Sequence, residues 1–178
     1  MADHPDLNLP WCKKLLSDPS VNDLQLQSLD YNEDESMNSM FKKTLYTDSA
    51  IRAHLSFRRP CSEPDAIRGQ EDCYLISVGH GVDGKTGRAH GGFNALILDQ
   101  VAGMCVFNKA PNPNPPATAT LTVDYKAPIS TPCVILARAW LIELSGRKIW
   151  VRAVIEDGEG KVLASGKALF VSVRPTKL

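Results

Sequence analysis

FNALILDQVAGMCVF, residues 93–107, is the stretch that decides the fold. It is apolar on nearly every face and long enough for about four helical turns, so it predicts a helix that is buried all round. Its polar interruptions are Asn94, Asp99 and Gln100. A carboxylate on such a helix carries a severe desolvation cost unless it is paired or functional, which makes Asp99 the first candidate catalytic residue. The alternative is that Asp99 faces a crevice or caps backbone amides without doing chemistry.

His90-Gly91-Gly92 stands directly before that helix, where a turn becomes a helix. Backbone N–H groups at such a position are unpaired and lie at the positive end of the helix dipole, so they can hold an oxyanion. The two glycines let another molecule approach the backbone closely. The alternative is that the glycines serve a tight turn and that His90 is an ordinary loop histidine.

The spacing separates these two features. Nine residues of helix correspond to roughly 13 Å of rise and about two and a half turns, which leaves the two residues about half a turn out of phase. His90 and Asp99 of one chain therefore cannot easily reach one substrate atom. If both act on one substrate, Asp99 comes from a second subunit across a two-fold interface. The sequence therefore predicts a homodimer, with a tetramer left open, that has two equivalent sites.

Strand patterns surround the helix on both sides. Alternating apolar residues from Thr44 to Phe57 and the run Tyr74–Val78 predict two strands before it. A proline-rich segment, Pro111–Pro116, ends the helix, because proline cannot continue the hydrogen-bond ladder. Four strand runs follow, at 117–125, 133–144, 148–155 and 162–173, and the turn signals between them predict an antiparallel meander. The predicted fold class is α+β, with a curved antiparallel sheet wrapped around one long buried helix.

The domain organisation follows from length and composition. The 178 residues suit one domain with a real core. Residues 45–178 form that domain, and residues 1–44 form an N-terminal extension whose apolar content is too thin for a separate core. The extension holds a helical candidate, Leu9–Leu16, and an acidic stretch from Asp30 to Ser39.

Charge and cysteine content exclude several classes of function. Twenty basic and twenty acidic residues balance, so the chain lacks the electrostatic footprint of a nucleic-acid-binding protein. No run of apolar residues predicts a membrane span, and no secretory signal is recognisable, so we expect a cytoplasmic protein, with a mitochondrial one not excluded. Five cysteines without a Cys-x-x-Cys pair predict free thiols rather than disulfides or a metal site. Neither a Gly-x-Ser-x-Gly elbow nor a metal-binding histidine spacing is present.

The segment 90–99, HGGFNALILD, followed by 118–129, TATLTVDYKAPI, resembles the hotdog-fold thioesterase superfamily. Within it, the chain looks most similar to the branch of thioesterase superfamily member 4 and the phenylacetate-pathway thioesterases. The resemblance covers roughly residues 45–173 and implies a hotdog fold. It also implies hydrolysis of an acyl-CoA or acyl-carrier thioester, with coenzyme A as part of the substrate and no further cofactor. The N-terminal extension and the loop 60–72 resemble eukaryotic, particularly fungal, members.

The resemblance also implies roles for individual residues. The amide of Gly91 or Gly92, beside His90, would polarise the thioester carbonyl, and Asp99 of the partner subunit would be the general base or nucleophile. Thr118 would place the water or the carboxylate; its alternative is an ordinary strand threonine. Substrate-binding candidates are Asn94, Lys126, Arg147 and Lys148, of which the three cations stand where a nucleotide phosphate could be held or are simply solvated.

The chain departs from the family pattern at one point, and two other functions stay open. Several relatives carry Asn or Gln shortly before the HGG segment, whereas this chain has Asp83, Gly84 and Lys85 there, so the resemblance assigns no second oxyanion donor. The first alternative function is a hotdog dehydratase or hydratase, in which His90 and Asp99 would exchange protons with the substrate. The second is a binding or tailoring protein that holds an acyl thioester without hydrolysing it.

Overall fold

The structure, a computed structural model, describes residues 4–26, 39–109 and 116–172. The predicted acidic stretch at 30–38, most of the proline-rich segment and the last residue of the final predicted strand lie outside these ranges. The described helices are α1 (Pro10–Leu16) and α2 (Gly91–Lys109), with 3-10 turns at Pro5–Asn8 and His80–Val82 and a π-helical turn at Met40–Leu45. None of the described helices combines the length and apolarity that a bilayer crossing requires.

Within the ranges that the structure describes, nine strands form two antiparallel sheets. They are β1 (Asn22–Leu26), β2 (Ile51–Pro60), β3 (Gln70–Val78), β4 (Asp83–Lys85), β5 (Arg88–Ala89), β6 (Ala117–Tyr125), β7 (Cys133–Ser145), β8 (Lys148–Glu156) and β9 (Val162–Val171). The large sheet has the order β1-β2-β3-β7-β8-β9-β6, and β4 and β5 make a small hairpin just before α2. The predicted α+β architecture is confirmed: strands, one long helix, then four strands.

Helix α2 lies on the inner face of the large sheet and contacts β7, β8, β9 and β3. Its side chains on that face, such as Ile97, Leu98 and Val101, are fully buried against inward-pointing residues of the strands. The prediction that the helix is buried all round is wrong for the single chain. A half-exposed stripe at helical spacing runs along the other face, through Leu96, Asp99, Gly103 and Phe107.

Two further sequence predictions need correction. The strand predicted from Thr44 begins only at Ile51, because residues up to Leu45 form the π-helical turn that places Phe41 in the core. The last four strands are not a simple meander: β7, β8 and β9 are consecutive neighbours, but β6 pairs with β9. Strand β6 therefore forms an edge of the sheet, and its burial is slight along its whole length.

The outer face of the sheet is covered by the N-terminal segment. Side chains that alternate with the inward set, including Leu55 and Leu75, pack with Leu7 and Cys12 in a second, smaller core. The indole of Trp11 lies on the β8–β9 turn, so closely that a methyl group on Gly158 would meet it at 2.6 Å. All five cysteines carry free thiols, as the sequence predicts.

Farther along the outer face, charged residues replace apolar ones. Arg138 on β7 donates hydrogen bonds to Glu71 at 2.9 Å, Glu63 at 2.7 Å and Glu156 at 2.8 Å. Burial opposes the charge of this guanidinium, but the hydrogen bonds and the surrounding carboxylates outweigh burial and raise the pKa of Arg138. Asp65 in the loop after β2 accepts hydrogen bonds from the Trp140 indole and from Arg152, both at 2.7 Å. We call Arg138 with its three glutamates the outer ion cluster.

Candidate active site

The first turn of α2 is capped by His90. The His90 ring Nδ1 accepts a hydrogen bond from the Gly92 N–H at 2.9 Å, and the His90 carbonyl accepts from the N–H groups of Phe93 at 3.0 Å and Asn94 at 3.2 Å. Two of the amides that a helix start leaves unpaired, those of Gly92 and Phe93, are thus already used, and the Asn94 N–H makes the first regular helical hydrogen bond. The Nδ1 of His90 therefore bonds to the local backbone, which fits the alternative interpretation of His90 as an ordinary loop histidine.

The Gly91 amide differs from its neighbours. Among the described residues, no acceptor lies within hydrogen-bond distance of its N–H. The carbonyl of the same residue accepts a hydrogen bond from the Tyr125 hydroxyl at 3.1 Å, which ties the helix start to the end of β6. Of the two glycines that the sequence offered as an oxyanion donor, Gly91 is therefore the one whose N–H is available.

A cavity of about 310 Å³ opens beside this amide. Its walls include Gly91 and Asn94 from the helix start and Tyr125 from the end of β6, with Arg88 and Lys126 bringing positive charge. Asn94 is 5% exposed, and its side-chain oxygen is buried without a hydrogen-bond partner among residues 4–26, 39–109 and 116–172. The cavity thus joins an available amide, an unsatisfied carboxamide and two cations.

Asp99 and Thr118 meet on the exposed side of α2. The Thr118 hydroxyl donates a hydrogen bond to Asp99 Oδ1 at 3.0 Å, across the gap between the helix and the first residues of β6. Asp99 is half-buried, and no cation pairs with it among the described residues. The structure therefore brings together the two residues to which the resemblance assigned the activation of water.

In one chain these two groups of residues lie far apart. Gly91 and Asp99 are separated by eight residues of one helix, or roughly 12 Å. Thr118 and Tyr125 lie near opposite ends of β6, seven residues or roughly 23 Å apart. The chain thus presents two half-sites: an amide half-site around Gly91 and a carboxylate half-site around Asp99.

The cationic candidates divide between the two half-sites. Lys126 lines the cavity, and its ammonium lies 3.7 Å from Asp124. Arg147 and Lys148 do not line that cavity. They lie at the opposite end of the sheet, where Lys148 is in register with Val171 and Arg147 donates a hydrogen bond to the Ser172 carbonyl at 3.1 Å. Ala117 pairs with the same Val171, so both cations lie on the side of the carboxylate half-site.

Two contributors were missed by the sequence analysis as site residues. Tyr125 entered only as part of a motif, yet its ring forms a wall of the cavity and its hydroxyl holds Gly91. Gly84 lies in the region where several relatives carry Asn or Gln. A methyl group at this position would meet the His90 ring at 2.8 Å, so the His90 ring leaves room only for glycine. The signal that could have identified Tyr125 is its position as an aromatic residue at the end of a largely polar strand.

Comparisons with known proteins identify the superfamily that this chain resembles. The family model described as "Thioesterase superfamily" matches residues 86–164. The acyl-coenzyme A thioesterase THEM4 of Rattus norvegicus is 36% identical over 104 residues, which are 58% of this chain and 44% of that protein. The chain therefore spans less than half of the length of this curated relative.

Solved structures give the same result for the fold. A crystal structure of a thioesterase superfamily protein aligns with a TM-score of 0.54 and 25% identity, over 65% of this chain and 55% of that one. A Bacillus halodurans protein crystallised with CoA aligns with a TM-score of 0.53 and 23% identity, over 57% of this chain and 66% of that one. The resemblance to the hotdog-fold thioesterases and the hotdog fold itself are confirmed.

Proposed function

We propose that this protein is an acyl-CoA thioesterase that works as a homodimer, each active site combining the amide half-site of one subunit with the carboxylate half-site of the other. The available Gly91 amide at the edge of a cationic cavity carries the proposal. It supplies a donor for a thioester carbonyl, and Arg88 and Lys126 suit the phosphates of coenzyme A. The naming of the rat relative as an acyl-coenzyme A thioesterase supports the same substrate class.

The chemistry uses few groups. The thioester carbonyl oxygen accepts a hydrogen bond from the Gly91 N–H, which stabilises the negative charge that develops when water attacks the carbon. Asp99 of the partner subunit takes the proton from that water, and Thr118 fixes the carboxylate through its Oδ1. The tetrahedral intermediate then expels the thiolate, which takes up the proton from Asp99, so that free acid and thiol leave.

The exposed edge of the sheet supports the dimer. Among the described strands, β6 is paired on one side only, and the half-exposed stripe of α2 lies beside it. If two copies of β6 pair antiparallel about their middles, Thr118 of one subunit comes near Tyr125 of the other, because the two residues lie almost equally far from the strand centre. One two-fold axis would thus unite both pairs of half-sites, and this shared surface leaves room for a tetramer.

A complementation experiment tests the shared site. Asp99→Asn removes the base, and Gly91→Pro removes the N–H at the first helical position, where proline is tolerated. We expect each variant alone to lose about a thousandfold in kcat for thiol release from a panel of acyl-CoAs. A mixture refolded at equal amounts should recover about a quarter of the wild-type activity, because half of the dimers are mixed and each has one intact site.

The other outcomes are equally informative. Full hydrolysis by Asp99→Asn would overturn the role of the carboxylate, and a mixture as inactive as its components would overturn the shared site. A wild-type chain that converts an enoyl or 3-hydroxyacyl thioester without releasing thiol would be a lyase. Tight binding of acyl-CoA in a calorimeter without turnover would indicate a binding protein.

A further inference from the structure

The oxyanion of the proposed hydrolysis meets an incomplete set of donors. Of the amides in the first turn of α2, only that of Gly91 is available, since His90 already accepts hydrogen bonds from the next three. The preceding hairpin offers no side-chain donor at position 84, because the residue there is glycine and any side chain would collide with the ring of His90. An oxyanion has more than one lone pair, and each missing donor in such a site lowers the rate substantially.

Asn94 has the properties that such a second donor requires. Its side chain is 95% removed from solvent, yet the residue lines the same cavity as Gly91. Neither atom of its carboxamide has a hydrogen-bond partner among the described residues, and the oxygen is the atom that is fully buried. An oxyanion cannot satisfy that oxygen, because both are acceptors, but the Nδ2–H2 group beside it is an unused donor from which an oxyanion in the cavity can accept a hydrogen bond.

The helix directs this side chain toward the oxyanion. Residues three apart lie on one face of a helix, with about 5–6 Å between equivalent atoms. Side chains on a helix lean toward its N-terminus, so the carboxamide of Asn94 extends back over the turn that contains Gly91. An oxygen atom placed between the two residues can lie about 3 Å from both donors.

We propose that the Nδ2–H of Asn94 is the second oxyanion donor of this enzyme, acting together with the Gly91 N–H. The assignment rests on the proposed thioesterase function. As water adds to the thioester carbon and its proton passes to the partner's Asp99, the carbonyl oxygen gains negative charge that both donors share. The charge returns to the carbonyl when the C–S bond breaks and the thiol leaves. Asn94 is then a catalytic residue rather than a wall of the pocket.

Two substitutions separate these roles. Asn94→Leu keeps the volume and removes the donor, and Asn94→Asp keeps the shape but directs a negative charge at the oxyanion. We expect kcat to fall by about 10² in Asn94→Leu and by more in Asn94→Asp, with KM changing by less than about threefold, because the hydrogen bond strengthens only in the transition state. Binding of a thioether analogue of acyl-CoA, which has no carbonyl at that position, should be unchanged in calorimetry.

Asn108→Leu is the matched control. Asn108 lies on the same helix, and its carboxamide donates to buried Asp72 at 2.6 Å, so its loss should lower Tm and leave kcat unchanged. Wild-type kcat in Asn94→Leu, or a parallel loss of thioether binding, would overturn the assignment of Asn94 alone. A wild-type chain that releases no thiol would overturn the proposed function instead.

Discussion

Carboxylates are paired with cations in the outer ion cluster, whereas the carboxylate of the Asp99–Thr118 pair is not. In the cluster, Glu71 is 2% exposed and accepts hydrogen bonds from two arginines, Arg59 and Arg138. Asp99 is half-buried and is held by one neutral hydroxyl. The more deeply buried acid is thus the neutralised one, and the acid without a cationic partner lies on the surface where a second subunit would pack.

This difference shows where burial of charge serves the fold and where it serves chemistry. Buried ion pairs contribute through complete pairing, and removing one member leaves an uncompensated charge. A carboxylate that must accept a proton cannot be neutralised in that way, because a strong cationic partner lowers its basicity. The two regions should therefore respond to mutation in different measurements.

The largest effect on stability is expected at Arg138. Arg138→Met removes the guanidinium that three glutamates share and leaves Glu71 with Arg59 alone, and we expect the free energy of unfolding to fall by about 3–5 kcal/mol. Thiol release by the remaining folded protein should be unaffected. Urea titration, with activity measured per folded molecule, checks both statements.

Arg152→Met provides the matched control for that experiment. Arg152 also binds a carboxylate of the outer face, that of Asp65, but the two side chains are 44% and 38% exposed. Exposed pairs contribute less than about 1 kcal/mol, so this variant should be nearly as stable as the wild type. Equal losses in the two variants would contradict the distinction between buried and exposed pairs.

Another buried polar group, His54, extends the comparison to the dependence of folding stability on pH. Its ring stacks on Tyr46 with 3.9 Å between centroids, and neither ring nitrogen has a hydrogen-bond partner in the part of the chain that the structure describes. Burial lowers the pKa of His54 to about 4, from 6.5. Below pH 6.5 the unfolded chain binds a proton that the folded chain refuses, so stability falls by about 3 kcal/mol between pH 6.5 and pH 4.

His54→Phe tests this origin of acid sensitivity. Phenylalanine preserves the stacking on Tyr46 but cannot bind a proton, so the loss of stability between pH 6.5 and pH 4 should shrink by about the same 3 kcal/mol. Denaturation curves at several pH values measure the difference. An unchanged pH profile would mean that other groups, such as the glutamates around Arg138, dominate acid unfolding.

The smallest effect is expected at Thr118. Thr118→Val keeps the shape of the residue and removes the hydrogen bond to Asp99, so kcat should fall about tenfold while Tm stays constant. Thr120→Val, on the same exposed strand, should leave both unchanged. A drop in Tm without a drop in kcat would make Thr118 a structural residue. The Asp99–Thr118 pair would then serve stability, as the outer ion cluster does.

The fold was predictable from the sequence where local patterns decide it. The apolar run around Leu98 predicts α2, and alternation with glycine turns predicts the later strands. The position of β6 at the edge was not predictable, because strand order depends on pairing between distant segments. The exposed stripe of α2 was missed because it also carries apolar residues, such as Leu96 and Phe107, so composition alone does not distinguish it from the face that meets the sheet.

The site was predictable in part. Local sequence identifies the HGG turn and Asp99, but it cannot say which amide is free, since that depends on the ring of His90 bonding to Gly92. The outer ion cluster was invisible to the sequence analysis, because its members are separated by up to 93 positions, from Glu63 to Glu156. Asp99 attracted attention as a buried acid, yet the acids that are truly buried, such as Glu71, belong to the scaffold.

The N-terminal segment that covers the outer face of the sheet has a practical consequence for truncated chains. A chain that began at Ser39 would retain every residue of both half-sites and the π-helical turn that carries Phe41, but would lose Leu7, Cys12 and the indole of Trp11 from the sheet. Leu55, Leu75 and their neighbours would then form a solvent-facing apolar patch, the kind of surface that drives self-association and aggregation. Solubility of the recombinant protein should therefore depend on the first helix, although no atom of that helix lines the cavity beside Gly91.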